Sequence, residues 1–300
     1  MGKASRRRKH GADQGSGEAA TTKVEPAPFV SRPFEGLPNE TDWVAMREIL
    51  PAATASVTFA KGKAPSGAPT GVTVATVLPM AWPGLHRADG TVLIGTQSGS
   101  VSGDASRDLA GCLLAAAAAE QGTPITTTAG ATADSPRLQD LLETSAPFEV
   151  TVHEGFDFWV GDSELDDDAK SSLERANESV IPTVKMDSAA SAYWCRIGER
   201  THIRLVLPED EDTATDALAR LHAAGESGLG GPTRLLGAFR ACGLLVPVWD
   251  LEPEKSSTDY EAALGDFMKR YAAAAASTEP LTVDERRARS GLLSRQVTLR

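Results

Sequence analysis

Two glycine-rich loops hold the residues of this 300-residue chain whose types and spacing come nearest to a binding chemistry. The first, Gly95-Thr-Gln-Ser-Gly-Ser-Val-Ser-Gly103, follows a β-branched run and precedes a helical pattern. Free backbone N–H groups and a helix macrodipole receive phosphate in that setting. The second, Gly228-Leu-Gly-Gly-Pro-Thr-Arg234, holds the corresponding place in the second half and adds a cation. Gly95, Ser98, Gly99, Gly103 and Arg234 are therefore the candidate ligand residues. Neither loop fits a dinucleotide or Walker fingerprint, because the spacing differs and no Lys follows. Ser98 is also not a nucleophile elbow, since Gly95 lies three residues before it rather than two. The plain structural reading of each loop, a connection ending in a cap such as Asp104, is the stronger of the two.

Other chemistry-bearing residues are scattered. Asp162-Ser-Glu-Leu-Asp-Asp-Asp168 has the acidity of a calcium loop, but Asp167 stands where an EF-hand needs Gly and Leu173 where it needs Glu. Acids in a first helical turn, complementing the macrodipole, account for it better. Five histidines include no i, i+4 pair, and only His153, with Glu154 and Asp157 close by, suggests an acid–base or metal group, against the commoner reading of an edge-strand His beside surface acids. Cys112, Cys195 and Cys242 are odd in number, far apart and in apolar contexts, reading as core fillers of a reducing compartment. No metal and no cofactor is called for by these patterns. Lys3, Arg6, Arg7, Arg8 and Lys9 form a basic arm able to attract a polyanion, nucleic acid or a ribosome, in a salt-dependent way.

The elements that must position these groups read as an α/β (α+β) protein. Asn39 starts a helix over 40–50, with Asp42 closing a weak capping box and Trp43, Met46, Ile49 and Leu50 making its apolar stripe. Strands are expected at 55–60, 72–78 and 91–96, a helix over 104–121, a short helix over 135–144 behind Pro136, and a strand over 148–160. The second half follows with a helix over 163–179, a hairpin of 193–197 and 202–207 turning at Gly198, and helices over 212–223 and 233–242. A strand over 244–249 and a helix over 258–276, capped by Thr258 and Glu261, complete it. Both halves thus read hairpin, helix, short helix, strand, helix. Arg137-Leu138 aligns with Arg234-Leu235, as in two similar lobes that could share one sheet.

Charge sharpens the organisation. The net charge is −11, yet residues 1–10 carry +5 and residues 282–300 carry +3, which leaves −19 on residues 11–281. A body that acidic repels nucleic acid and anionic membranes. The expected segments are a disordered basic arm (1–28), a first lobe with its aromatic and proline-rich tether (29–162), a second lobe (163–281) and a basic tail (282–300), in which Thr282 and Glu285 form a capping box. No apolar run approaches the ~20 residues of a membrane span, and the basic start leads into no apolar segment, so a soluble cytoplasmic protein is expected.

The blocks Pro33–Ala55 and Arg240–Leu251, the Met-Gly-Lys start and the Ala-rich composition resemble an uncharacterised actinobacterial protein family over essentially the whole chain. That resemblance implies a bacterial cytosolic protein and supplies no catalytic residues. The functional expectation is a non-enzymatic binding or adaptor protein with a protein partner and an arm that contacts a polyanion. The alternative is an enzyme acting on a small phosphorylated or acidic metabolite at a glycine-rich strand-to-helix loop.

Overall fold

The computed structural model describes residues 25–99, 102–161 and 164–294. The basic arm, including Lys3, Arg6, Arg7, Arg8 and Lys9, lies outside them. Helix α1 (Glu40–Glu48) is followed by strands β1 (Ala53–Thr58), β2 (Gly71–Ala75), β3 (Gly84–His86) and β4 (Val92–Gly95). Then come α2 (Ala105–Ala118), β5 (Thr123–Ile125), the single turn α3 (Leu138–Leu141) and β6 (Thr151–Val152). These strands form a six-stranded sheet, ordered β5-β3-β4-β2-β1-β6, in which β2 and β4 run parallel and the other pairs antiparallel.

The second half contains α4 (Asp167–Glu178), β7 (Thr183–Lys185), β8 (Ala192–Ile197), β9 (Arg200–Leu205), α5 (Glu211–Ala223), β10 (Arg234–Ala241), β11 (Leu244–Asp250), α6 (Glu261–Ala275) and α7 (Val283–Ser294). Its strands make a separate antiparallel sheet, β10-β11-β9-β8-β7. The protein is thus a mixed α/β structure of two sheets and flanking helices.

One core joins the two sheets. Trp43, Val44, Ala45 and Met46 of α1 pack with Val74 and Ile94 of the first sheet and Leu109 and Leu113 of α2. Tyr193, Phe239, Val246 and Val248 of the second sheet belong to the same cluster. Trp43 stacks on Phe148 at 4.1 Å and on Phe34 at 5.8 Å. The far face of the second sheet is covered by α5, α6 and α7 around Trp249, Phe267 and Tyr271. A smaller apolar group, Leu78, Leu85 and Leu93 with Trp82 and Trp159, covers the far face of the first.

Asp42 is the polar rivet of the seam. Only 1% exposed, it accepts from Ser191 Oγ (2.6 Å), Tyr193 OH (2.8 Å) and Lys185 Nζ (3.0 Å), all on the second half. Burial, and then the negative charge of Asp42, push the Tyr193 phenol far above its ordinary pKa.

Several expectations change. The segment 233–242 is strand β10, not a helix. Its Leu, Ala and Arg residues favour helix locally, but Cys242 and Gly243 take φ of 45° and 79°, the two-residue turn that joins antiparallel strands. Aligning Arg137-Leu138 with Arg234-Leu235 therefore sets a helical turn against a strand, and the halves do not share a sheet. The helix expected over 135–144 is one turn, and the strand over 148–160 shrinks to β6 and a short 3-10 turn. Asn39 adopts a left-handed conformation and does not cap α1; its side-chain oxygen accepts from Phe148 N (3.3 Å) instead. Asp42 accordingly closes no capping box. Ahead of α6, Ser256 and Asp259 form the box, while Glu261 accepts from Asp187 N and Ser188 N. The tether is fixed from before Phe29, since Ala27 is buried and donates to Ala131 O (2.8 Å), whereas Phe29 is 82% exposed. The box at Thr282 and Glu285 forms and starts α7.

Candidate ligand-binding groove

The described residues of the first glycine loop are committed to structure, and Ser100 and Val101 lie outside the described residues. Gly95 ends β4 and donates its N–H to Pro83 O (3.0 Å). Ser98 is buried, with its hydroxyl donating to Gly95 O (2.9 Å). A Cβ added to Gly103 would lie 2.6 Å from Phe29 N, so this glycine admits the tether; Val30 N donates to Gly103 O and Gly103 N to Ala27 O. The helix terminus that sequence offered to phosphate is occupied by Asp104. One of its oxygens accepts from Ser106 N (3.0 Å) and Arg107 N (3.4 Å), and the other lies 3.2–3.3 Å from the Nε atoms of Arg137 and Arg107. No neighbour lies within 4 Å of a Cβ at Gly99.

The second loop leads into a strand, so it has no helix dipole behind it, yet it lines a sizeable depression. This open groove of about 750 Å³ is bounded by the end of α5, the start of β10 and the outer face of α6. Its local causes are legible. Helix α5 stops in a Schellman arrangement: Gly225, at φ 75°, donates to His222 O (3.2 Å) and Glu226 N donates to Leu221 O (2.8 Å). Buried Ser227 is then held by Trp249, whose Nε1 donates to its carbonyl (2.8 Å). The loop closes through Thr233, whose hydroxyl donates to Gly230 O (2.7 Å) and accepts from Leu229 N (3.0 Å).

Four polar side chains converge on this backbone. His222 Nδ1 lies 3.0 Å from Ser227 Oγ. Arg270 reaches from α6 to donate Nη2–H to Gly228 O (3.2 Å). Arg234 stands on the opposite wall, its side chain 73% exposed and 3.8 Å from Asp250. Asp266 is paired with Lys269 (2.8 Å), which lowers its carboxyl pKa. The groove can therefore grip a ligand through guanidinium N–H groups and glycine backbone, with its hydroxyls already in use.

Of the sequence candidates, only Arg234 belongs to this groove; Gly95, Ser98, Gly99 and Gly103 lie elsewhere. His222, Ser227 and Arg270 were not singled out. The single available signal was the cluster of four glycines after α5, Gly225, Gly228, Gly230 and Gly231. The remaining candidates have structural partners. His153 Nε2 lies 2.7 Å from Thr54 Oγ1, and burial lowers its pKa against the opposing pull of Asp157. Asp166 caps α4 through Ala169 N, whereas Asp162 lies outside the described residues. Among the described residues, no group of three or more His, Cys, Asp or Glu is placed to hold a metal ion. Cys112 and Cys195 are buried, and burial raises both thiol pKa values. On α7, Arg289 pairs with Asp212 and Asp216 (2.7 and 2.6 Å) and Glu285 with Arg220 (3.7 Å), so part of the basic tail is spent on α5 and its flank.

A chain with this two-sheet scaffold and glycine groove is matched over residues 33–300 by one family model, described as a family of unknown function (DUF5926). The protein belongs to that family. No curated protein and no solved structure matches it. Among the described residues no helix is long and apolar enough to cross a membrane.

Proposed function

We propose that this protein is a bacterial, cytoplasmic binding or adaptor protein whose recognition site is the groove between α5, β10 and α6. One observation carries this reading. The groove is an open depression of about 750 Å³, and its wall is held in shape by a helix cap, a carbonyl-to-indole bond and a threonine clamp. A pre-formed wall lowers the entropic cost of binding. The hydroxyls of Ser227 and Thr233 are held in that wall, which suits recognition better than turnover. The test is amide chemical-shift mapping of the full chain against a small-molecule panel of mixed charge. Saturable shifts confined to Gly225–Arg234 are expected, and a panel that moves only amides elsewhere would refute the assignment.

The basic arm is proposed to dock a polyanion separately, because the body repels one. Removing residues 2–10 should abolish low-salt co-sedimentation with ribosomes or duplex DNA, and the intact chain should lose it at high salt. Equal sedimentation with and without the arm would sink this part.

A further inference from the structure

We infer that the groove takes a small oxyanion, a carboxylate or phosphate group, gripped by Arg270 above the glycine turn; this rests on the groove being the recognition site. The guanidinium of Arg270 is half-buried and lies within 4 Å of no carboxylate among the described residues. It donates once, from Nη2 to Gly228 O, and its Nε is buried with no hydrogen-bond partner. A buried donor on a cation, left unsatisfied, is costly unless a ligand completes it. The carboxylate best placed to do so, Asp266 one turn earlier on α6, is held by Lys269. Arg270 lines the groove, and beyond the one bond to Gly228 its Nη groups have no hydrogen-bond partner among the described residues, leaving planar donors of the kind that carboxylates and phosphates accept from.

The opposite wall fits the same class. Nothing lies within 4 Å of a Cβ built on Gly230, and only Glu252 Oε1, at 3.6 Å, approaches one on Gly231. Backbone at that turn is thus open to close approach by a ligand group. Arg234, exposed and only loosely matched to Asp250, supplies a second cation across the opening. The rim also carries Glu226 and, beyond Gly231, Glu252, on a body of strongly negative charge. Those acids disfavour an extended polyanion more than a single small oxyanion, so nucleic acid is not the occupant.

The experiment titrates the full chain with pyrophosphate and citrate, and with neutral trehalose and cationic spermidine, following the Arg270 Nε–Hε resonance and the Gly230 and Gly231 amides. Pyrophosphate or citrate is expected to move all three to saturation, and which of them binds tighter separates phosphate from carboxylate. Arg270→Gln should weaken that binding at least tenfold and Arg270→Lys by less. Because Arg270 also holds the loop, Glu226→Lys is the control: this exposed change should tighten anion binding about threefold or more by removing a repulsive charge. Anion binding that is indifferent to both Arg270→Gln and Glu226→Lys would overturn the inference. If trehalose or spermidine moves the groove amides while the anions do not, the ligand class falls and the recognition site stands. If no probe moves them, both fall.

Discussion

Replacing Asp42 by Ala tests the account of how the two sheets are held together. The carboxylate accepts three hydrogen bonds from the second half, two of them from buried hydroxyls. Ser191 retains an alternative, since its hydroxyl also lies 2.6 Å from Thr41 Oγ1. Tyr193 OH has no other hydrogen-bond partner among the described residues and would be stranded in an apolar core, while Lys185 would keep partial contact with water. Breaking a buried charge pair by removing one member costs about 3–5 kcal/mol. Tyr193→Phe removes one hydrogen bond to a charged group, worth about 1.5–3 kcal/mol, and leaves no orphan on the tyrosine side. Since each kcal/mol shifts Tm by about 1.5–2 °C in a protein of this size, Asp42→Ala should lower it by roughly 5–10 °C. Urea unfolding followed by tryptophan fluorescence measures both variants, and the double variant should cost less than the sum of the singles because the two side chains share one bond. The reasoning is refuted if Asp42→Ala costs under about 1 kcal/mol, or less than Tyr193→Phe.

Two further outcomes follow from ionisable groups. Burial holds His153 below its ordinary pKa, so the unfolded chain binds the proton more readily than the folded one. The associated stability is present above about pH 6.5 and lost as pH falls toward the folded value; urea midpoints should drop from pH 7 to pH 5, and His153→Gln should flatten that slope. Cys242 sits at the β10–β11 turn with Sγ 3.6 Å from Glu48 Oε1, and burial together with that carboxylate pushes its pKa up to about 12. Iodoacetamide at pH 8 should therefore label it far more slowly than a free thiol, and Glu48→Gln should speed labelling; a rate unchanged by that substitution counts against the electrostatic cause.

Local signals located the elements whose signals are local. Asp104 accepts from Ser106 N and Arg107 N as a cap should, and the β8–β9 hairpin turns at Gly198, whose φ is 60°. The failure at β10 has a definite cause. Between Leu235 and Arg240 only Gly237 opposes a helix, and the strand arises because β11 offers a ladder one two-residue turn away, with Gly237 at the register shift. The groove was half visible for a related reason. Turn chemistry pointed to Gly228–Arg234, but Arg270 comes from a helix about forty residues later and His222 from the last turn of another, so no spacing rule could bring them together. Sequence position makes Asp42 a capping candidate, whereas its actual partners, Lys185, Ser191 and Tyr193, lie about 150 positions along the chain.

That distance has a consequence for synthesis. The apolar face of α1 is among the first parts of the fold to leave the ribosome, yet Phe239, Val246 and Val248, which help enclose it, come some 200 residues later. At about 5–20 residues per second, α1 waits roughly 10–40 s before its core can close. During that interval Trp43 and Met46 lack the second-sheet side chains that help enclose them, and a chaperone that shields them would have to let go only after β11 has emerged.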